Sequence, residues 1–114
     1  MRLLSTQDLE ARMRHDKQFI GVFALNRLPQ HVEPGPCKLI VNLQYANLPG
    51  SHWTAIYRND GGLGYYYDSF GRIPPLEIQC WLMNNCGHWT WNTLTIQYDL
   101  SSCGYLCIDF LKHV

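Results

Sequence analysis

Residues 52–68 are the stretch of this chain with the fewest ways to fold. His52-Trp-Thr-Ala-Ile-Tyr57 alternates and is rich in β-formers. Asn59-Asp60-Gly61-Gly62 is a strong hairpin turn, and Gly64-Tyr-Tyr-Tyr-Asp68 returns. With the turn centred near residue 60, His52 and Asp68 fall opposite each other at the open end. They share parity about that centre, so they face the same side. A one-residue shift of the centre would spoil this. The hairpin is a direct way to bring an imidazole and a carboxylate into contact.

The flanking segments supply a sheet and its helices. Residues 5–15 read as a helix: Ser5 or Thr6 can cap it, and Leu9 and Met13 lie four apart. Phe19 to Leu25 is apolar and β-forming, and Pro29, Pro34, Gly35 and Pro36 mark a loop over 30–37. Lys38 to Gln44 predicts a strand. Residues 76–85 suit a short helix with Leu76, Cys80 and Leu82 or Met83 on one face, and Asn85 near its end. Trp89 to Gln97 alternates as a strand. A loop from Tyr98 to Ser102 leads into an apolar helix that opens at Cys103.

In chain order the sequence presents His52, Asp68, Gln97 and Cys103. These four groups are what nucleophilic catalysis by a thiol needs: nucleophile Cys103, base His52, orienter Asp68 and oxyanion donor Gln97. A free thiol titrates near ~8.5, so it needs help to be a thiolate at neutral pH. A helix start exposes Cys103 to unsatisfied backbone N–H groups, and an adjacent His52 lowers its pKa further. Gly104, lacking a side chain, keeps the approach to the sulfur open. The Cys103 N–H and the Gln97 amide would form the oxyanion site. The rival base, His88, stands too near Gln97 to share this arrangement, and Cys107, one helical turn beyond Cys103, reads as core.

Composition narrows the alternatives. At 114 residues, with 46% hydrophobic content, the chain forms one domain with a core, residues 1–114. Zero net charge and scattered Lys and Arg give no basic face for nucleic acid. No apolar run approaches the about 18 residues of a membrane span, and the N-terminus soon turns polar, unlike a signal peptide. The odd count of 5 cysteines argues for a reducing compartment over a disulfide framework. Cys80, Cys86 and His88, with Cys37 as a fourth ligand, fit no common structural zinc spacing, so the sequence implies no metal and reads the remaining cysteines as buried free thiols.

His52-Trp53, Asp68-Ser69, Gln97 and Ser102-Cys103-Gly104 together resemble the adenovirus-protease (adenain) and SUMO-protease superfamily of cysteine peptidases, in which the same order recurs. The resemblance runs from about Gly21 to the C-terminus. The segment Gly21 to Pro29 looks like the viral branch, with Asn26 where an acidic residue commonly precedes Leu-Pro. The Asp60-Gly-Gly turn and the run Asp68-Ser-Phe-Gly71 look more like viral and large-DNA-transposon proteases than cellular SUMO proteases.

The resemblance implies an α+β fold: a central mixed sheet flanked by helices, papain-like or adenain-like, with the nucleophile at a helix N-terminus. It implies a protein or polyprotein substrate cut after Gly-Gly or Gly-X, with Trp53 walling a narrow tunnel. It further implies virion maturation, hence a place inside the host cell (nucleus or viral factory) and in the virion. Adenoviral members use a viral peptide and DNA as activators; the neutral charge gives no support for DNA, and no cofactor is carried over. Family members usually continue past the Cys helix, so apolar surface near the terminal helix is expected to be exposed or covered by a partner or second copy. An isopeptidase of ubiquitin-like modifiers and a non-catalytic binding homologue are the alternative functions.

Overall fold

The computed structural model of the protein describes residues 3–43, 52–94 and 102–114. Five strands form one mixed sheet in the order β1-β2-β3-β4-β5, which is also chain order. The strands are β1 (Phe19–Ala24), β2 (Cys37–Asn42), β3 (Trp53–Arg58), β4 (Leu63–Tyr67) and β5 (His88–Trp91). The outer pairs, β1 with β2 and β4 with β5, are parallel, and the two inner pairs are antiparallel. Among the described residues no helix is long and apolar enough to cross a membrane.

The inner strands alternate their burial between two helical layers. Ile40, Trp53, Ala55 and Tyr67 point to one face, against Leu9 and Met13 of α1 (Thr6–Met13) and Cys107, Ile108 and Leu111 of α3 (Cys103–Lys112). Leu39, Val41, Ile56 and Tyr66 point to the other, against Ile78, Trp81 and Leu82 of α2 (Leu76–Asn85). Period-2 side-chain direction is what makes both faces apolar at once. This is the α+β architecture with a central mixed sheet flanked by helices that the sequence predicts.

Local chemistry sets the helix starts. Ser5 caps α1 in a full capping box: its Oγ accepts from the Asp8 N–H at 3.1 Å, and the Asp8 carboxylate accepts from the Ser5 N–H at 2.8 Å. In α2 the buried face is Ile78, Trp81 and Leu82, whereas Leu76 and Met83 are 69% and 70% exposed. Of the predicted face of Leu76, Cys80 and Leu82 or Met83, only Leu82 is buried, which corrects Leu76, Cys80 and Met83. Leu76 opens the helix right after Pro75, so only the spacing of 78, 81 and 82 aligns with the sheet. A short 3-10 turn, Leu25–Arg27, follows β1 and has no clear signal in the sequence. Cys80 is exposed rather than buried, and Cys37 and Cys107 are buried.

The hairpin register departs from the predicted one. Ala55 pairs with Tyr67, Ile56 with Tyr66 and Tyr57 with Tyr65, so the turn centres on Gly61, not Asp60. Continued outward, this register sets His52 across from Phe70 and makes Asp68 its diagonal neighbour. This corrects the expectation that a one-residue shift of the centre would spoil the arrangement: it changes every pair sum by two and preserves parity, so His52 and Asp68 remain on one face and in contact. Strand β5 ends at Trp91, short of the predicted Gln97. Asn92 turns its side chain to other backbone instead, and Gln97 lies outside the described residues.

Arg58 closes the end of the sheet opposite His52. It is only 4% exposed, and its guanidinium donates to the carbonyls of Gly35 (2.8 Å), Asn85 (2.9 Å) and Glu33. One planar fork thus ties the proline-rich loop and the end of α2 to β3. A lysine ammonium cannot reach three divergent carbonyls. Arg58→Lys should destabilise the fold by about 2–4 kcal/mol, since hydrogen bonds from charged donors contribute ~1.5–3 kcal/mol and orphaned acceptors add to the loss. Urea unfolding measures this; an unchanged midpoint would show that the loop is held by other contacts.

Candidate active site

Topology brings three distant residues to one end of the sheet. β3 and β4 are antiparallel, so the start of β3 and the end of β4 share an edge. His52 immediately precedes β3 and Asp68 immediately follows β4. The β2–β3 ladder reaches one step further, through the Leu43 N–H donating to the His52 carbonyl at 2.8 Å. α3 packs across β3 with its N-terminus at this same end, and Cys103 is its first residue.

The contacts form a chain. His52 Nε2 lies 2.6 Å from Asp68 Oδ1. The same imidazole also hydrogen-bonds to Cys103. The Trp53 backbone N–H donates to Cys103 Sγ at 3.4 Å, and the Gly104 N–H also bonds the sulfur. No side chain caps α3 at Ser102, so the sulfur meets open N–H groups of the first turn. Phe70 stacks on the His52 ring at 4.7 Å between centroids, and the Arg72 guanidinium lies 5.0 Å from the Phe70 ring centre. The imidazole is therefore fixed on its face as well as at its edge.

Electrostatics follow from this packing. Burial by itself would lower the His52 pKa, but the hydrogen bonds to Asp68 and Cys103 and their negative charges raise it to about 9. Burial by itself would raise the Cys103 pKa, but the His52 hydrogen bond, the Trp53 and Gly104 N–H groups and the imidazolium charge bring it below the ordinary thiol value. Both shifts favour the thiolate–imidazolium pair, with Nε2–H donating to Asp68. Cys107 shows the opposite: complete burial and the charges of Cys103 and Asp68 push it well up. It stays a thiol and donates S–H to the Trp53 carbonyl at 3.3 Å.

His52, Asp68 and Cys103 therefore come together, whereas Gln97 lies outside the described residues. Trp53 and Gly104 are placed differently from their predicted roles. Trp53 is 4% exposed and its indole donates to the Leu4 carbonyl at 3.0 Å, so its side chain is core rather than a tunnel wall. A Cβ on Gly104 would meet Leu4 at 3.2 Å and Trp53 at 3.3 Å. Its missing side chain admits those two residues instead of clearing a path to the sulfur. The sequence reading misses the Trp53 backbone N–H, the Phe70 stack and Asn92, which bonds the Asp68 backbone. A strand-poor Asn within the predicted Trp89–Gln97 strand is the signal for the last of these.

No protein-family model and no curated protein matches the sequence. Solved structures do match the fold. A crystal structure of the ASFV pS273R protease superposes with a TM-score of 0.64 at 18% identity, covering 99% of this chain and 59% of that one. A crystal structure of its Se-Met form gives a TM-score of 0.54 at 19% identity, covering 70% of this chain and 36% of that one. The chain thus has the fold of part of that protease, and spans about 59% of its length in the more extensive match.

The pKa directions set a measurable pattern. In a Cys80→Ser background, alkylation of Cys103 should rise with an inflection below the free-thiol value of ~8.5. Cys107, whose pKa is raised by burial, should stay unlabelled. His52→Ala should move the inflection upward. The pair also couples to folding. The raised His52 stabilises the fold fully below 6.5 and ceases to as pH climbs through about 9. The lowered Cys103 contributes above 9.0 and ceases to as pH falls through its folded value. Mass spectrometry of the labelled cysteines across pH reads the pattern. An inflection near ~8.5 in both proteins would mean that no thiolate–imidazolium pair assembles.

Proposed function

We propose that this chain is an adenain-like cysteine endopeptidase. The observation that carries the reading is one imidazole, His52, bonded both to the buried Asp68 carboxylate at 2.6 Å and to the thiol that opens α3. That arrangement suits acyl transfer and has no evident structural purpose: a buried ion pair is weak evidence for stability. The fold likeness to the ASFV pS273R protease supports the viral branch of the family.

The steps use these groups in turn. The Cys103 thiolate attacks the scissile carbonyl carbon, and the electron pair of the C=O bond moves to oxygen. The Cys103 N–H and, in this proposal, the Gln97 amide donate to that oxyanion. Imidazolium His52 gives its proton to the leaving amine as the C–N bond breaks, which leaves a thioester and a neutral imidazole. A water attacks the thioester, losing its proton to His52, and the acid product departs with Cys103 again a thiolate. Asp68 accepts from Nε2–H throughout, which stabilises the imidazolium and sets the ring angle.

By family resemblance the substrate is a precursor protein cut after Gly-Gly or Gly-X, and the setting is maturation of virion proteins within the infected cell and the virion. Half-buried Tyr105, Leu106 and Phe110 with exposed Leu3 and Val114 support a partner or second copy covering α3. Sedimentation that finds a monomer at every concentration would remove self-association.

Gly-Gly peptides and intact ubiquitin-like conjugates, assayed side by side, test the substrate class. Cleavage of the peptides is expected; action on conjugates alone would make the enzyme an isopeptidase. Cys103→Ser should abolish turnover and His52→Ala nearly so, while Asp68→Asn should cost less. Gln97→Ala should lower kcat by about 10²-fold or more if its amide is an oxyanion donor. Full activity in Cys103→Ser would sink the peptidase reading, and full activity in Gln97→Ala would remove that residue from the site.

A further inference from the structure

The Asp68 carboxylate is weakly held for a group on which the imidazole depends. Its Oδ1 accepts from His52 Nε2 and from the Phe70 N–H at 2.9 Å. Its Oδ2 is buried with no hydrogen-bond partner among the described residues. The direction of the side chain is therefore set by where the Asp68 main chain sits.

That main chain is gripped by one amide. Asn92 Oδ1 accepts from the Asp68 N–H at 2.8 Å, and Asn92 Nδ2 donates to the Asp68 carbonyl at 2.5 Å. Only this orientation of the amide serves both groups. The parallel β4–β5 ladder ends at Tyr66 with Trp91, so the Asn92 side chain imitates one more peptide after the strands stop pairing. Nδ2 also donates to the Leu94 carbonyl at 3.2 Å, tying the segment beyond β5 into the same knot.

Gly71 lets the two segments close. Its N–H donates to the Asp68 carbonyl at 2.7 Å, and its φ of +72° is a conformation that favours glycine. A Cβ there would sit 2.9 Å from the Leu94 carbonyl and from the Thr93 oxygen. The turn bearing Asp68 and the segment that leads toward Gln97 thus meet backbone to backbone, with the Asn92 amide beside the contact.

We propose that Asn92 is a positioning residue, which acts on the chemistry by fixing the Asp68 main chain and through it the His52–Asp68 hydrogen bond. The proposal rests on the peptidase reading above. It differs from a purely structural role in one respect: loosening Asn92 must change the imidazole and the thiol, not only the melting point. Asn92→Leu keeps volume and loses all three hydrogen bonds. Asn92→Ser retains an oxygen that can accept from the Asp68 N–H.

The experiment measures the pH inflection of Cys103 alkylation and the proton NMR signal of the His52 Nε2–H in wild type, Asn92→Leu, Asn92→Ser and Arg58→Lys. Arg58→Lys serves as a destabilised control at the far end of β3. The expected result is an inflection shifted toward the free-thiol value of ~8.5 in Asn92→Leu, less so in Asn92→Ser, with the Nε2–H signal lost or moved upfield. Arg58→Lys should keep both wild-type readings. If Asn92→Leu does not fold, Asn92→Ser alone decides. Wild-type inflection and signal in a folded Asn92 variant would overturn the proposal, and so would failure of both variants to fold, which would assign Asn92 to the fold. These outcomes leave the peptidase reading standing when the wild-type inflection is low. An inflection near ~8.5 in wild type itself would instead overturn that reading and this proposal with it.

Discussion

The hydrogen bond from His52 to Asp68 organises this molecule. At 2.6 Å, with the carboxylate 1% exposed, it opposes the burial that would otherwise strip the imidazole of its proton. A cationic His52 in turn holds Cys103 as a thiolate against a desolvation that favours the thiol. His52 and Cys103 would each shift back toward the uncharged form if the neighbour that holds its charge were removed. The site is consequently cooperative, and its charge separation exists only in the folded chain.

The sheet makes that bond inexpensive to hold. Two antiparallel inner strands return the chain to the edge from which it left, so the sequence separation of 16 between His52 and Asp68 costs little closure entropy beyond the hairpin itself. The parallel β5 runs in the direction of β4 and delivers Asn92 to the same edge. Core on both faces keeps the strands from sliding: a one-residue slip between β3 and β4 would exchange Ala55 and Ile56 between the two helical layers. The apolar pattern of the strands thus fixes the geometry of a polar site that lies beyond their ends.

Much of this was legible in the sequence where local rules dominate. The β3–β4 hairpin, the Ser5 cap and the helix opening at Cys103 each follow from a few adjacent residues. The rest depends on partners far along the chain. The hairpin register moved its centre to Gly61 because the pairing of Tyr65, Tyr66 and Tyr67 is chosen by which ring faces which layer, and three successive tyrosines carry no alternation. The inward face of α2 is settled by the sheet beneath it, which spacing within the helix does not reveal. Trp53 beside the base looks like a groove residue in one dimension. Its indole N–H finds the Leu4 carbonyl, forty-nine residues away, and becomes core.

The two cysteines of α3 show how far environment outweighs residue type. Cys103 and Cys107 lie one helical turn apart and bracket the backbone of one residue: Trp53 gives its N–H to the first sulfur and its carbonyl accepts from the second. The N–H of Trp53 favours a thiolate at Cys103, and its carbonyl takes the S–H of Cys107. Cys103 stands at the open end of the helix, beside the imidazolium and free N–H groups. Cys107 is fully buried, with no cation against it among the described residues, and the charge on Cys103 makes its own ionisation harder still. One residue thus meets both sulfurs, and the Cys107 S–H bond to its carbonyl helps to hold the N–H that Cys103 uses.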